Sequence, residues 1–153
     1  MRIYVASSHR NPAHLVVVEV LRAKGHEVYD FHDPHIGPGK GWPGFHWSEI
    51  DPAWQQWAAR EMRDGLADDR ARQGIAADRA GMEWCEAAVL LVPPVAAGRS
   101  SHLALGWCIG AGKRTVILLA NGEPELLYGL ADHICIDLDE VVAVLAREGP
   151  DHQ

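Results

Sequence analysis

The chain has 153 residues, with 14 Lys and Arg against 21 Asp and Glu and a formal net charge of −7. That length suits a single domain, 1–153, able to bury one substantial core, and the acidic balance disfavours a nucleic-acid polymer or an anionic membrane as partner. The apolar runs are far too short to span a bilayer, no signal-peptide h-region precedes the first strand, and a cytoplasmic location is expected.

Arg2–Ala6 is an apolar strand that stops at the polar turn Ser7-Ser8-His9-Arg10-Asn11. Asn11 is placed to cap a helix with Pro12 at its first position. That helix is expected to bury Leu15, Val18 and Leu21 and to end at Lys24-Gly25, a basic last turn with a glycine beyond it. Glu27–Phe31 reads as the second strand, and the crossover implies parallel pairing. Residues 31–50, "FHDPHIGPGKGWPGFHWSEI", hold four glycines, three prolines and four aromatics; loops of that length inside a domain are usually lids or binding loops. Asp51-Pro52 is a second cap pair, predicting a helix with Trp54, Trp57 and Ala58 on one face. Gly65 and the run "DDRAR" separate it from a further helix ending near Ala87.

Val89–Val92, halted by Pro93-Pro94, reads as a buried strand. A helix over Ser101–Ala111, a strand Thr115–Leu119, a short segment around Pro124–Leu130, a strand Ile134–Ile136 and a helix Leu138–Arg147 complete the alternation. The predicted class is α/β, a five-stranded parallel sheet with helices on both faces. Cys85, Cys108 and Cys135 each sit in an apolar run and are expected to be buried free thiols.

In such a sheet ligands bind beyond the carboxyl ends of the strands. The loops Ser7–Asn11, Phe31–Ile50 and Pro93–Ser101 all leave from those ends. In "GRSSH", Gly98 permits close backbone approach, while Arg99, Ser100, Ser101 and the N–H groups of the following helix suit an oxyanion such as a phosphate. A serine cap beside a solvated arginine explains the same residues. "GWCIGAGKRT" is not a phosphate loop, because Trp107 stands where a glycine is required and Arg114 follows the lysine. Gly110 and Gly112 instead end a helix whose C-terminal dipole Lys113 and Arg114 offset. His32-x-x-His35 and His46 lack the companions of a structural zinc site, so no metal is expected. Trp47, Trp54 and Trp57 suit either a core or stacking on a planar ring.

Taken together, "IYVASS" at the first strand, Asp78 ahead of "MEWCEAAVLLVP", "GRSSHLALGW", "GAGKRTVILL" and "PELLYGLAD" resemble the nucleoside 2-deoxyribosyltransferase family and its nucleoside 5′-monophosphate N-glycosidase relatives over nearly the whole chain. The resemblance implies a flavodoxin-like/Rossmann-like fold, a homodimer or higher homo-oligomer, no cofactor, and cleavage or transfer of the N-glycosidic bond of a (deoxy)nucleoside or its 5′-monophosphate. In that family a glutamate attacks C1′ to form a glycosyl-enzyme, which splits one difficult displacement into two, and a carboxylic acid protonates the departing base. Carried over by motif, Asp78 takes the proton-transfer role and Tyr4 positions the nucleophile. The sugar would lie between Tyr4, Asp78 and position 104, the ring under the aromatic segment with His46, Trp47 and Trp57, and any phosphate against Arg99–Ser101 and the Ser7/Ser8 turn. "PELLYGLAD" brings Glu125 and Tyr128 toward the site, Glu125 nearest the place of an asparagine that in transferases reaches a neighbouring subunit's sugar.

The nucleophile's position is Ala104. Two readings follow: a Glu→Ala substitution that leaves the chain inactive, or a nucleotide-binding sensor that never had the carboxylate. The first is preferred because the surrounding motifs are intact. A flavin-binding reading of the same fold ranks last, since the first loop lacks the hydroxyl-rich cradle that flavin mononucleotide prefers.

Overall fold

A computed structural model of the chain describes residues 1–32, 36–93, 99–119 and 125–147. Five strands, β1 (Arg2–Ala6), β2 (Glu27–Tyr29), β3 (Ala87–Leu91), β4 (Arg114–Leu118) and β5 (His133–Cys135), form one parallel sheet in the order β2-β1-β3-β4-β5. Tyr4 pairs with Tyr29 on one side and Ala88 on the other, and Val89 with Val116. The helices are α1 (His14–Ala23), α2 (Ala59–Gly65), α3 (Asp69–Trp84), α4 (Arg99–Gly110) and α5 (Leu138–Ala146), and single 3₁₀ turns lie at Trp47–Glu49, Trp54–Gln56 and Leu126–Leu130.

Alternation along each strand divides the interior in two. Ile3, Val5, Val89, Leu91, Val116 and Leu118 point to the face covered by Val17, Val18 and Leu21 of α1 and Val141 and Leu145 of α5. Tyr4, Ala6, Ala88, Leu90 and Ile117 point the other way, toward Leu105 and Cys108 of α4 and Tyr128. The three cysteines are buried and free. Among the described residues no helix is long and apolar enough to cross a membrane.

Several boundaries differ from those expected. Asn11 does not cap α1. Its side chain accepts from the Ala13 N–H at 3.0 Å and donates to the Leu91 carbonyl of β3 at 3.4 Å, so it is spent on a turn and the helix starts at His14. The buried face of α1 is accordingly His14, Val17, Val18 and Leu21, leaving Leu15 exposed. Asp51 likewise makes a turn to the Ala53 N–H and opens only a 3₁₀ turn; α2 begins at Ala59. "DDRAR" opens α3 and does not separate it from α2: Asp68 is the cap, accepting from the Arg70 N–H, and the other four residues are the first of the helix. Strand β3 starts two residues early, at Ala87, and β2 stops at Tyr29.

Gly112 takes φ +68° just beyond α4, as a helix-ending glycine should. The two cations after it serve other helices, however. Lys113 donates to the Glu83 and Cys85 carbonyls at the end of α3, at 2.9 and 2.7 Å, and Arg114 to Val144 and Arg147 at the end of α5. Lys113, just before β4, and Arg114, its first residue, pass those helix ends, where carbonyls lack intrahelical partners.

Candidate active site

β1 and β3 are neighbours whose following connections leave on opposite faces, which makes their carboxyl ends the switch point of the sheet. A cavity of about 1000 Å³ opens there. Its floor is the end of β1 and the turn beyond it, with Tyr4, Ala6, Ser7, Ser8, His9 and Arg10. One wall is a stripe of α3, Ala71, Gly74, Ile75, Asp78 and Met82, spaced three and four residues apart as one helical face requires. The opposite wall is the first two turns of α4, Arg99, Ser100, Ser101, Leu103, Ala104 and Trp107. Phe31, Trp42, Phe45, His46, Trp47 and Trp54 of the aromatic segment close over it.

The predicted trio therefore meets. Tyr4, Asp78 and Ala104 border one space; Ala104 is a buried residue, 9% exposed and packed with the apolar cluster under α4, that also lines the cavity. Ser7, Ser8, His46, Trp47, Arg99, Ser100 and Ser101 join them. Gly98 lies outside the described residues.

Three predicted residues do not line the cavity. Trp57 borders a separate, smaller cleft with Glu61 and Gly65. Its indole N–H donates to Asp51 at 2.7 Å, and its ring lies so close to Gly65 that an added Cβ there would sit 2.6 Å from it. It backs the roof through an edge-on contact with Trp47, 5.8 Å between centroids. Tyr128 is buried against α4, its hydroxyl 2.8 Å from His102 Nε2. Glu125 is exposed beside Leu126 and Leu127, which are 92% and 69% accessible.

Trp54, one of the three tryptophans that suited stacking on a ring, lines the cavity, and so do His9, Arg10, Trp42 and Phe45, which no motif marked for it. His9 and Arg10 share the polar turn with Ser7 and Ser8, so the position of that turn after a strand was their signal. Phe45 lies over Gly74 of α3, where an added Cβ would stand 3.4 Å from its side chain, at ordinary contact distance.

Asp78 is the sole carboxylate among the described residues that line the cavity. Burial lifts its pKa to about 6, with the nearby Tyr29 hydroxyl pulling weakly the other way; that hydroxyl meets no partner in ordinary hydrogen-bond geometry. Tyr4 is pushed well above the usual phenol range, first by burial and then by the Asp78 charge. Its ring stacks on Tyr29 at 5.4 Å, 10° from parallel. That stack needs Gly81, where a Cβ would fall 2.9 Å from the Tyr29 ring. A carboxyl group that titrates near neutrality beside a neutral phenol can give or take a proton under working conditions.

The strand order and the cavity at its switch point define a flavodoxin-like α/β protein. No family model and no curated protein matches the chain in sequence. Among solved structures it is similar to 2-deoxyribosyltransferase from the psychrotolerant bacterium Bacillus psychrosaccharolyticus, with 17% identity, a TM-score of 0.62, and coverage of 92% of this chain and 90% of that one. It is also similar to the CMP N-glycosidase BcmB of Clostridium botulinum, at 17% identity and a TM-score of 0.50, covering 95% of this chain and 97% of that one. At this identity the likeness is one of fold, and it is the fold that the motifs implied.

Proposed function

We propose that the site is built to hydrolyse or transfer at the N-glycosidic bond of a nucleoside 5′-monophosphate when a carboxylate stands at position 104, and that Ala104 leaves this chain able to bind but not to react. The observation that carries this reading is the meeting of Tyr4, Asp78 and Ala104 around one cavity, with Asp78 poised near neutral pH. Asp78 would protonate the leaving base, and Tyr4 would hold the attacking group in line. The solved neighbours, a deoxyribosyltransferase and a CMP N-glycosidase, support the reaction class.

The balance of charge favours the monophosphate over the neutral nucleoside. Arg10, Arg99, His9, His46 and four serines line the cavity against one carboxylate, in a chain of net charge −7. Glu125, whose charge would repel a 5′-phosphate at close range, does not line this chain's own cavity. Its place beside the exposed Leu126, Leu127 and Leu130 suits a surface buried between copies of the chain, which we take to be a homodimer.

The decisive experiment is Ala104→Glu, incubated with a panel of nucleosides and monophosphates and read as free base by chromatography. The expected result is base release rising by several orders of magnitude over the alanine form. A glutamate variant that binds these compounds and releases no base would leave the second reading, a non-catalytic nucleotide sensor. That reading draws its support from the same fact, that Ala104 offers no nucleophile. Arg99→Ala should weaken monophosphate binding roughly 10–100-fold and leave nucleoside binding unchanged, as loss of a charge-assisted hydrogen bond predicts.

A further inference from the structure

Beside the cavity, three residues far apart in sequence converge: His14 opens α1, and Asp30 and His32 follow β2. His14 Nε2 lies 2.7 Å from Asp30 Oδ1, and His32 Nδ1 lies 3.4 Å from the same oxygen. We propose that His14, Asp30 and His32 form a binding site for a divalent transition-metal ion of the zinc class.

The geometry is that of a ligand set. One ligating atom from each residue lies within 4.8 Å of the other two. Donors about 2.0 Å from a tetrahedral ion stand about 3.3 Å apart, so the two contacts to Asp30 already have nearly the spacing required. Two imidazoles and one carboxylate are donors suited to zinc, iron or cobalt, and three protein ligands leave a position for solvent. His14 and Asp30 are fully buried, whereas the His32 side chain is 28% exposed, which gives an ion a way in.

Asp30 Oδ1 also accepts from the His32 backbone N–H at 2.9 Å, which fixes the carboxylate beside both rings. His14 Nδ1 is buried with no partner, so that ring is held through Nε2 alone, and a coordinate bond there displaces nothing on its other side. The rings of His14 and His9 both stand edge-on to His32 at 4.5 Å. Spacing along the loop, from His32 to His35 and His46, could not reveal the group, because its other ligands come from α1 and the end of β2. His35 lies outside the described residues.

An ion here would also reach the cavity. Phe31 stacks on His32 at 4.3 Å and lines the cavity itself, so fixing His32 fixes the first residue of the roof.

The test uses the full-length, tag-free chain stripped with a chelator and titrated with Zn²⁺ against a chromophoric competitor, and separately with Co²⁺. The expected result is a single ion per chain, with Co²⁺ giving visible d–d bands. His32→Ala and Asp30→Asn should each weaken binding by more than the ~10–100-fold that loss of an outer partner costs. Circular dichroism checks that the variants fold; His32 is partly exposed, so its variant decides the matter alone if Asp30→Asn does not fold. Stoichiometry well below one, or affinity unchanged in a folded His32→Ala chain, would overturn the proposal.

Discussion

The two faces of this sheet are built from the same strands and finished differently. On the α1/α5 face the strands present Ile3, Val5, Val89, Leu91 and Val116, and the helices answer with Val17, Leu21 and Val141. On the α3/α4 face the alternate positions carry Tyr4, Ala6 and Ala88, opposed by Gly74, Asp78, Gly81 and Ala104. Branched aliphatics on both partners fill the space between layers. Small residues on both partners leave a hollow, and one carboxylate placed in it is desolvated enough to titrate near pH 6. The difference separates stability from chemistry: one face holds the fold together, and the other gives up packing for a site.

Changes on the two faces should therefore diverge, and the largest effect belongs to chemistry. In an Ala104→Glu background, Asp78→Asn should lower base release about 10²–10⁴-fold, the usual worth of a positioned acid. The rate of the Ala104→Glu chain itself should fall as pH rises through about 6, since the acid must be protonated to act. A flat profile across that range, with Asp78→Asn fully active, would remove Asp78 from the reaction.

Next in size is Leu21→Ala on the closed face, where the side chain is 0% exposed. It should cost about 2–5 kcal/mol of unfolding free energy, measured by urea titration, with nucleotide affinity unchanged once the chain is folded. Equal losses of affinity and stability would mean that the faces are not independent.

Asp78→Asn in the unaltered chain should have the opposite sign. The folded pKa is raised from 3.8 to about 6, so the folded state binds more protons than the unfolded state between those values. The associated stability is present below about pH 4 and lost as pH rises through 6. A rise of that size is worth roughly 3 kcal/mol, so the asparagine variant should be the more stable chain at pH 8 by up to that amount and show no advantage at pH 3.5. Urea titrations at the two pH values check it.

The smallest expected effect is Gly81→Ala. A Cβ there meets the Tyr29 ring at 2.9 Å, and overpacking of this kind costs about 1–3 kcal/mol. Because Tyr29 stacks on Tyr4, the variant should also weaken nucleotide binding, which distinguishes it from Leu21→Ala.

Much of this was legible along the chain. The alternation of apolar strands with helical stretches announced a parallel sheet, and each of the five strands lies within two residues of its expected span. The GRSSH motif and the first-strand turn marked the carboxyl edge where the cavity opens. Asp78 was legible only through the family resemblance, yet it had a physical signal of its own, as the one charge on the Ala71–Gly74–Ile75–Met82 stripe. What misled were local signals with a second use. Asn11 and Asp51 have cap chemistry, but an Asx side chain satisfies a turn equally well, and the turn won where a neighbouring strand or indole supplied the other bond.

The order of residues by itself determined the class of fold and the chemistry available at the strand ends, because periodicity and turn chemistry act within a few residues. Only the folded chain decided which tryptophan roofs the cavity and which supports it, which helix ends Lys113 and Arg114 complete, and that His14 meets Asp30 and His32. Those outcomes depend on contacts between segments that the sequence holds apart, and no short-range preference encodes a distance across the sheet.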